Sequence, residues 1–173
     1  MIKYFCMKII FVRHGEAKND KLTHWGKKQA RNIVRELFYE NISKIYSSPL
    51  ERAIQTASII AKKLDIKNII IDKRISEREQ KNETMSKEEI IEFDNNYLNS
   101  TFSRKDPEGC KEYLKRIHSF LNDVKKQNKK DSCVLVVGHS SMTYAMGAYF
   151  IGLKKDKVAW IRIGNCNKIC FEC

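Results

Sequence analysis

Met7-Lys8-Ile9-Ile10-Phe11-Val12-Arg13-His14-Gly15-Glu16 is an apolar run, broken only by Lys8, that stops at an Arg-His-Gly. A second run, Cys133-Val134-Leu135-Val136-Val137, stops in the same way at Gly138-His139-Ser140. Short apolar runs of this kind read as strands buried on both faces of a sheet. The chain has four histidines, and two of them stand directly after these strands. In an open α/β sheet, residues just beyond the carboxyl ends of the strands line the ligand crevice.

Outward from the two runs, the chain reads β-α-β-α-β-α-α-β-α-β-β. Strand one spans roughly 7–12. A helix opens near Thr23, with Ala30, Ile33, Val34, Leu37 and Phe38 on one stripe. Residues 43–47 form a strand, and Ser48, Pro49 and Glu51 read as N-cap, N1 and N3 of a capping box. The helix that follows buries Leu50, Ala53, Ile54, Ala57, Ala61 and Leu64, and 68–72 is a further strand. Ser86 to Glu89 is a second capping box, opening a helix to about Leu98. Asp106-Pro107 starts a longer helix with Cys110, Leu114, Ile117, Leu121 and Val124 inward. The span 140–151 is helical, and closing strands at about 158–163 and 167–172 turn at Gly164-Asn165. Alternating helices and apolar strands predict a three-layer α/β/α sandwich with a mostly parallel central sheet and an antiparallel edge strand. The length, 173 residues, predicts one domain over 1–173.

Composition narrows the function classes. No apolar stretch approaches a membrane span, so no membrane partner is expected. Lys8 and the early Arg13-His14 argue against an export signal, which predicts a cytoplasmic protein whether Met1 or Met7 is the start. The net charge of +12 comes mostly from scattered lysine pairs without interleaved aromatic residues, so nucleic acid is not the expected partner. The same charge favours anionic substrates. Of the six cysteines, Cys133 and Cys110 read as small core hydrophobes. Cys166, Cys170 and Cys173 lack paired knuckles and a nearby histidine, so no metal is expected.

The two histidine motifs and the Ser47-to-Thr56 segment carry the chemistry. Arg13 and Arg52 supply planar forks that match phosphoryl oxygens, and Arg52 lies at the start of a capped helix, where an anion is well solvated. Cations beside an imidazole disfavour its protonated form, which keeps it nucleophilic. Ser140 and Ser141 either donate to phosphate from a helix start or cap that helix. Trp25 and Trp160 read as packing, and His24 and His118 as helix residues without a chemical part.

In order along the chain, Arg-His-Gly-Glu at 13–16, Leu22-Thr23 through Gly26 to Gln29-Ala30, Ser47-Ser48-Pro49-Leu50 with Arg52, Ala53, Gln55 and Thr56, and Gly-His-Ser at 138–140 resemble the motifs of the histidine phosphatase, or phosphoglycerate mutase-like, superfamily. The resemblance runs from about residue 7 to 150. It implies that His14 carries the phosphoryl group as phosphohistidine. It also implies a phosphate pocket of Arg13, Arg52 and His139, and a carboxylic acid for the leaving oxygen, with no cofactor or metal. Glu77 stands where the family places that acid, with Glu79 and Glu83 as alternatives, because the family's usual continuation is absent from 80–85. Eight residues separate His14 from Thr23, a short loop for the mutases of this family. The expected activity is therefore hydrolysis of a small phosphorylated metabolite. Alternatives are a phosphoprotein or phosphohistidine phosphatase, a phosphoglycerate mutase-type phosphotransferase, or a non-catalytic phosphoryl-binding domain.

Overall fold

The computed structural model describes residues 6–78, 110–152 and 163–172. The expected helix at 86–98, the start at Asp106-Pro107, the strand at 158–162, the Cys110 side chain and Glu79, Glu83, Trp160 and Cys173 lie outside them. Five strands form one sheet: β1 (Lys8–Arg13), β4 (Ile42–Ser47), β5 (Ile69–Ile71), β6 (Cys133–Gly138) and β7 (Lys168–Glu172), in the order β5-β4-β6-β1-β7. β1 and β4 flank β6 in parallel, β5 joins β4 in parallel, and β7 runs antiparallel along β1. Two short strands, β2 (Ala17–Lys18) and β3 (Lys21–Leu22), make a separate hairpin.

Alternation along β1 divides the core between two layers. Ile9 and Phe11 pack with Val134 and Val136 against α4 (Cys110–Gln127) and α5 (Met142–Ile151). Ile10 and Val12 pack with Leu135 and Val137 against α1 (His24–Asn32), α2 (Val34–Leu37) and α3 (Glu51–Leu64). Residues 9 to 12 are fully buried, as a central strand covered on both faces requires. The helix–sheet–helix sandwich with its antiparallel edge is the predicted architecture.

Several local expectations differ. The first helix divides at Ile33, and Phe38 is 62% exposed, because the chain turns away after Leu37. Trp25 is half exposed, with Lys28 over its ring, and is not a core residue. The α3 stripe buries Ala53, Ala57 and Ala61 with Ile60, whereas Leu50, Ile54 and Leu64 are only half-buried. α3 begins at Glu51 with Leu50 as an extended N-cap, so Ser48-Pro49 precede the helix instead of capping it. Glu51 bonds Gln55, and Asp20 from the β2–β3 turn accepts the Glu51 N–H at 3.0 Å. That leaves the Ser48 hydroxyl for the site.

Candidate active site

Parallel pairing of β1 with β6 brings the two histidines together. Arg13 pairs with Gly138, and His14 N–H donates to the Gly138 carbonyl at 2.9 Å. The His14 and His139 rings stand 5.2 Å apart at 60°. β4 ends on the other side of β6 and delivers Ser48, while α3 delivers Arg52.

Hydrogen bonding determines the state of His14. Its Nδ1 lies 2.7 Å from the Gly15 carbonyl, which can only accept, so Nδ1 carries the proton. Nε2 is left with a lone pair, which faces the Arg52 Nε–H at 3.1 Å. Arg52 is the hub. Its Nη1 pairs with Asp20, and its Nη2 donates to Glu77 at 2.7 Å and lies 3.3 Å from His139 Nδ1. Glu77 Oε2 lies 3.3 Å from the same His139 nitrogen. On its far side, His139 Nε2 meets the Ser48 hydroxyl at 2.7 Å.

Burial is the main reason that His14 is held down at about 4, with the neighbouring His139 and Arg52 acting in the same direction. It is therefore neutral near pH 7. His139, fully buried, is lowered for the same first reason, against the pull of Glu77. Burial pushes Glu77 up, but the hydrogen bonds and charges of His139 and Arg52 outweigh it and hold the carboxyl at about 2. The site thus holds an ionised Glu77 against the Arg52 guanidinium.

Contacts behind these side chains explain the rest of the motifs. A Cβ on Gly26 would meet the Glu16 carbonyl oxygen at 2.0 Å, and one on Gly15 would meet the Gly26 carbonyl oxygen at 2.6 Å. The His14 loop and α1 therefore touch backbone to backbone, which needs glycine on both sides. Gly15 N–H donates to Thr56 Oγ1, Glu16 N–H to Gln29, and Leu22 N–H to Gln55. Glu16 accepts the Thr23 hydroxyl at 2.7 Å, and Thr23 caps α1.

Of the residues singled out from sequence, His14, Arg52, Glu77 and His139 meet directly. Arg13 precedes His14 in the chain, its Nη1 on the Ile163 carbonyl at 2.9 Å and its buried Nε without a hydrogen-bond partner among the described residues. Ser140 lies at the turn before α5, where its carbonyl accepts the Thr143 hydroxyl, and Ser141 Oγ accepts from Tyr113. Neither serine side chain caps α5. Three contributors were missed. Asp20 reaches Arg52 from a turn whose residues have φ of 50° and 60°; Asn19-Asp20 was a readable turn signal. Arg116 of α4 donates to the Ser76 carbonyl at 2.9 Å and steadies the segment bearing Glu77. Asn165 donates to the His14 carbonyl at 2.8 Å. Nothing local in sequence marks the last two.

His14, Glu77 and His139 offer ligand atoms within 4.8 Å of one another, the one such cluster among the described residues. Arg52 contacts all three, so a fixed cation already holds the centre, and the donor set suits an anion better than a second cation. Cys166 is buried, its thiol pushed up to about 12 by burial, while Cys170 is exposed. Among the described residues, no helix is long and apolar enough to cross a membrane.

A family model described as the histidine phosphatase superfamily (branch 1) matches residues 9–173. Phosphoserine phosphatase 1 of Hydrogenobacter thermophilus is 28% identical over 87% of this chain and 79% of its own length. A 2,3-bisphosphoglycerate-dependent phosphoglycerate mutase of Thermoplasma acidophilum is 38% identical over a shorter stretch, 41% of this chain and 42% of its own. The structure of a mycobacterial glucosyl-3-phosphoglycerate phosphatase superposes with a TM-score of 0.78 at 18% identity, covering 95% of this chain and 89% of that one.

Proposed function

The chain belongs to the histidine phosphatase superfamily, and from that premise we propose that it hydrolyses a phosphomonoester through a covalent phosphohistidine on His14. The observation that carries the reading is the His14 lone pair: Nδ1 is pinned to the Gly15 carbonyl, and Nε2 is aimed at the Arg52 guanidinium. A phosphoryl group seated on Arg52 is then within reach of Nε2.

Attack by Nε2 forms the N–P bond as the ester P–O bond breaks. Arg52, Arg13 and His139 stabilise the charge on the equatorial oxygens. Glu77 gives a proton to the leaving oxygen, then removes one from the water that attacks the phosphohistidine, which returns free phosphate and neutral His14. Arg52 and His139 hold Glu77 ionised. A phosphoryl dianion shares the Arg52 charge with Glu77 and adds like charge beside it, and both effects raise the carboxyl toward the protonated form that the first step needs. Substrate binding therefore takes up a proton.

The substrate we infer is a small phosphorylated metabolite. The named relatives act on phosphoserine, phosphoglycerate and glucosyl-3-phosphoglycerate. Short phosphorylated carboxylic acids head the panel, and the net charge of +12 suits them. Nucleic acid remains outside this reading, and with Cys6, Cys133, Cys166 and Cys170 free among the described residues we place the protein in the cytoplasm.

Metal-free phosphate release from these esters tests the proposal, with His14→Ala alongside. Turnover that falls at least about a thousandfold in the variant supports it; activity within about tenfold of wild type overturns the phosphohistidine route. The stretch similar to a mutase favours a second reading, transfer to an acceptor. Partition of the phosphoenzyme to added phosphoglycerate instead of water would select it.

A further inference from the structure

We propose that Asp20 is a tethered competitor for the phosphoryl seat: its carboxylate occupies the Arg52 Nη1 donor and the first free N–H of α3, and an incoming phosphoryl group displaces it. The inference rests on the phosphatase reading above and adds a residue that sets how tightly the site takes its anion.

Three observations carry it. First, each of the three nitrogens of Arg52 already has a partner: Nε has His14, Nη1 has Asp20, and Nη2 has Glu77 and lies close to His139. A phosphoryl group takes the Nη1 donor held by Asp20 only when that carboxylate leaves it. Second, the two carboxylates differ in how they are held. Glu77 lies beside His139, and Arg116 fastens its segment to α4. Asp20 sits at the tip of a hairpin of two-residue strands; its side chain is 41% exposed, close to the 36% of Glu77, so the difference lies in the tip position and not in exposure. Third, the Asp20 oxygens bridge a helix N-terminal N–H and a guanidinium, two donor types that a phosphoryl group also accepts.

Helix capping alone does not call for the charge. An asparagine accepts the Glu51 N–H equally well and tolerates the positive φ of 60° at this position. The carboxylate adds a negative charge beside a site that must receive a dianion. Two carboxylates and a phosphoryl dianion around one guanidinium repel each other, and release of Asp20 to solvent relieves that repulsion. Weaker substrate binding is the cost, and a guanidinium whose charge is balanced before substrate arrives is the gain.

The test is calorimetric binding of inorganic phosphate to wild type, Asp20→Asn and Glu36→Gln. Glu36 is exposed on α2 beside Lys168, and its substitution changes net charge by the same amount. Asp20→Asn is expected to bind phosphate about five- to tenfold more tightly, and Glu36→Gln to stay within about twofold. In His14-dependent turnover, KM falls in Asp20→Asn by a larger factor than kcat changes. Asp20→Gly, which also accepts the positive φ, repeats the measurement should the asparagine variant fail to fold. Unchanged or weaker binding in the Asp20 variants, or equal tightening in Glu36→Gln, overturns the inference. Wild type that binds phosphate without such tightening leaves the phosphatase reading standing. Absence of binding in all proteins removes both.

Discussion

Glu77 is where the residue scale is most informative, because Arg52 and His139 hold its carboxyl ionised, whereas the first step of the reaction we propose needs it protonated. Glu77→Gln should therefore slow esters with poor leaving groups by about a hundredfold or more, and p-nitrophenyl phosphate far less, since that leaving group needs little protonation. Equal slowing of both esters would take the acid role from Glu77. His14 and Glu77 also make stability depend on pH with one sign. His14 is lowered from 6.5 to about 4, so the unfolded chain binds more protons across that window and stability rises with pH through it. Glu77 is lowered from 4.5 to about 2, so its contribution is present above 4.5 and lost as pH falls toward 2. Urea unfolding of wild type should show stability rising between about pH 4.5 and 6.5, with a shallower rise in His14→Ala. Parallel curves would mean that His14 is not held neutral by the fold.

Elements explain why the motifs contain more than reacting groups. The Leu22-Thr23-to-Gly26 stretch opens α1 against the nucleophile loop, and the near contact of Gly26 with the Glu16 carbonyl leaves no room for a methyl group. Gly26→Ala should cost about 3 kcal/mol or more, because backbone and not a flexible side chain must move. Denaturant midpoints check this, and a loss under about 0.5 kcal/mol would show that the loop yields easily. α3 presents Arg52 to the site, ties the loop down through Thr56 and Gln55, and receives its cap from Asp20. The expected capping box at Ser48 and Glu51 failed for a tertiary reason: Ser48 is bonded to His139. A local signal was overruled by a partner 91 residues away.

At the scale of the whole molecule, strand order makes the site. β6 lies between β1 and β4, so their carboxyl ends bring His14, His139 and the Ser48–Arg52 segment together at one edge of the sheet. β7 then closes on β1, and the turn before it grips the nucleophile loop through Asn165 and the Cys166 N–H, which donates to the Arg13 carbonyl. The field of a +12 chain acts over the same distances. For a dianionic ester, kcat/KM should fall about three- to tenfold between roughly 20 mM and 300 mM salt, because exposed charges are screened over that range. A flat profile would confine attraction to the half-buried Arg52.

Sequence by itself left Glu77, Glu79 and Glu83 open as the acid, but it determined the strands that end at His14 and His139, most of the helix stripes, the layered architecture and Arg52 as a candidate beside the histidines. These depend on apolar periodicity and on motifs contiguous along the chain, which are local properties. Tertiary structure alone decided that Asp20 shares Arg52 with Glu77, that Arg116 and Asn165 brace the site, and that Phe38 and Trp25 face solvent. Each of those outcomes rests on a pairing across long sequence separations or on how one helix lies on the sheet. Periodicity places a residue on a face, but only the packed fold decides what that face meets.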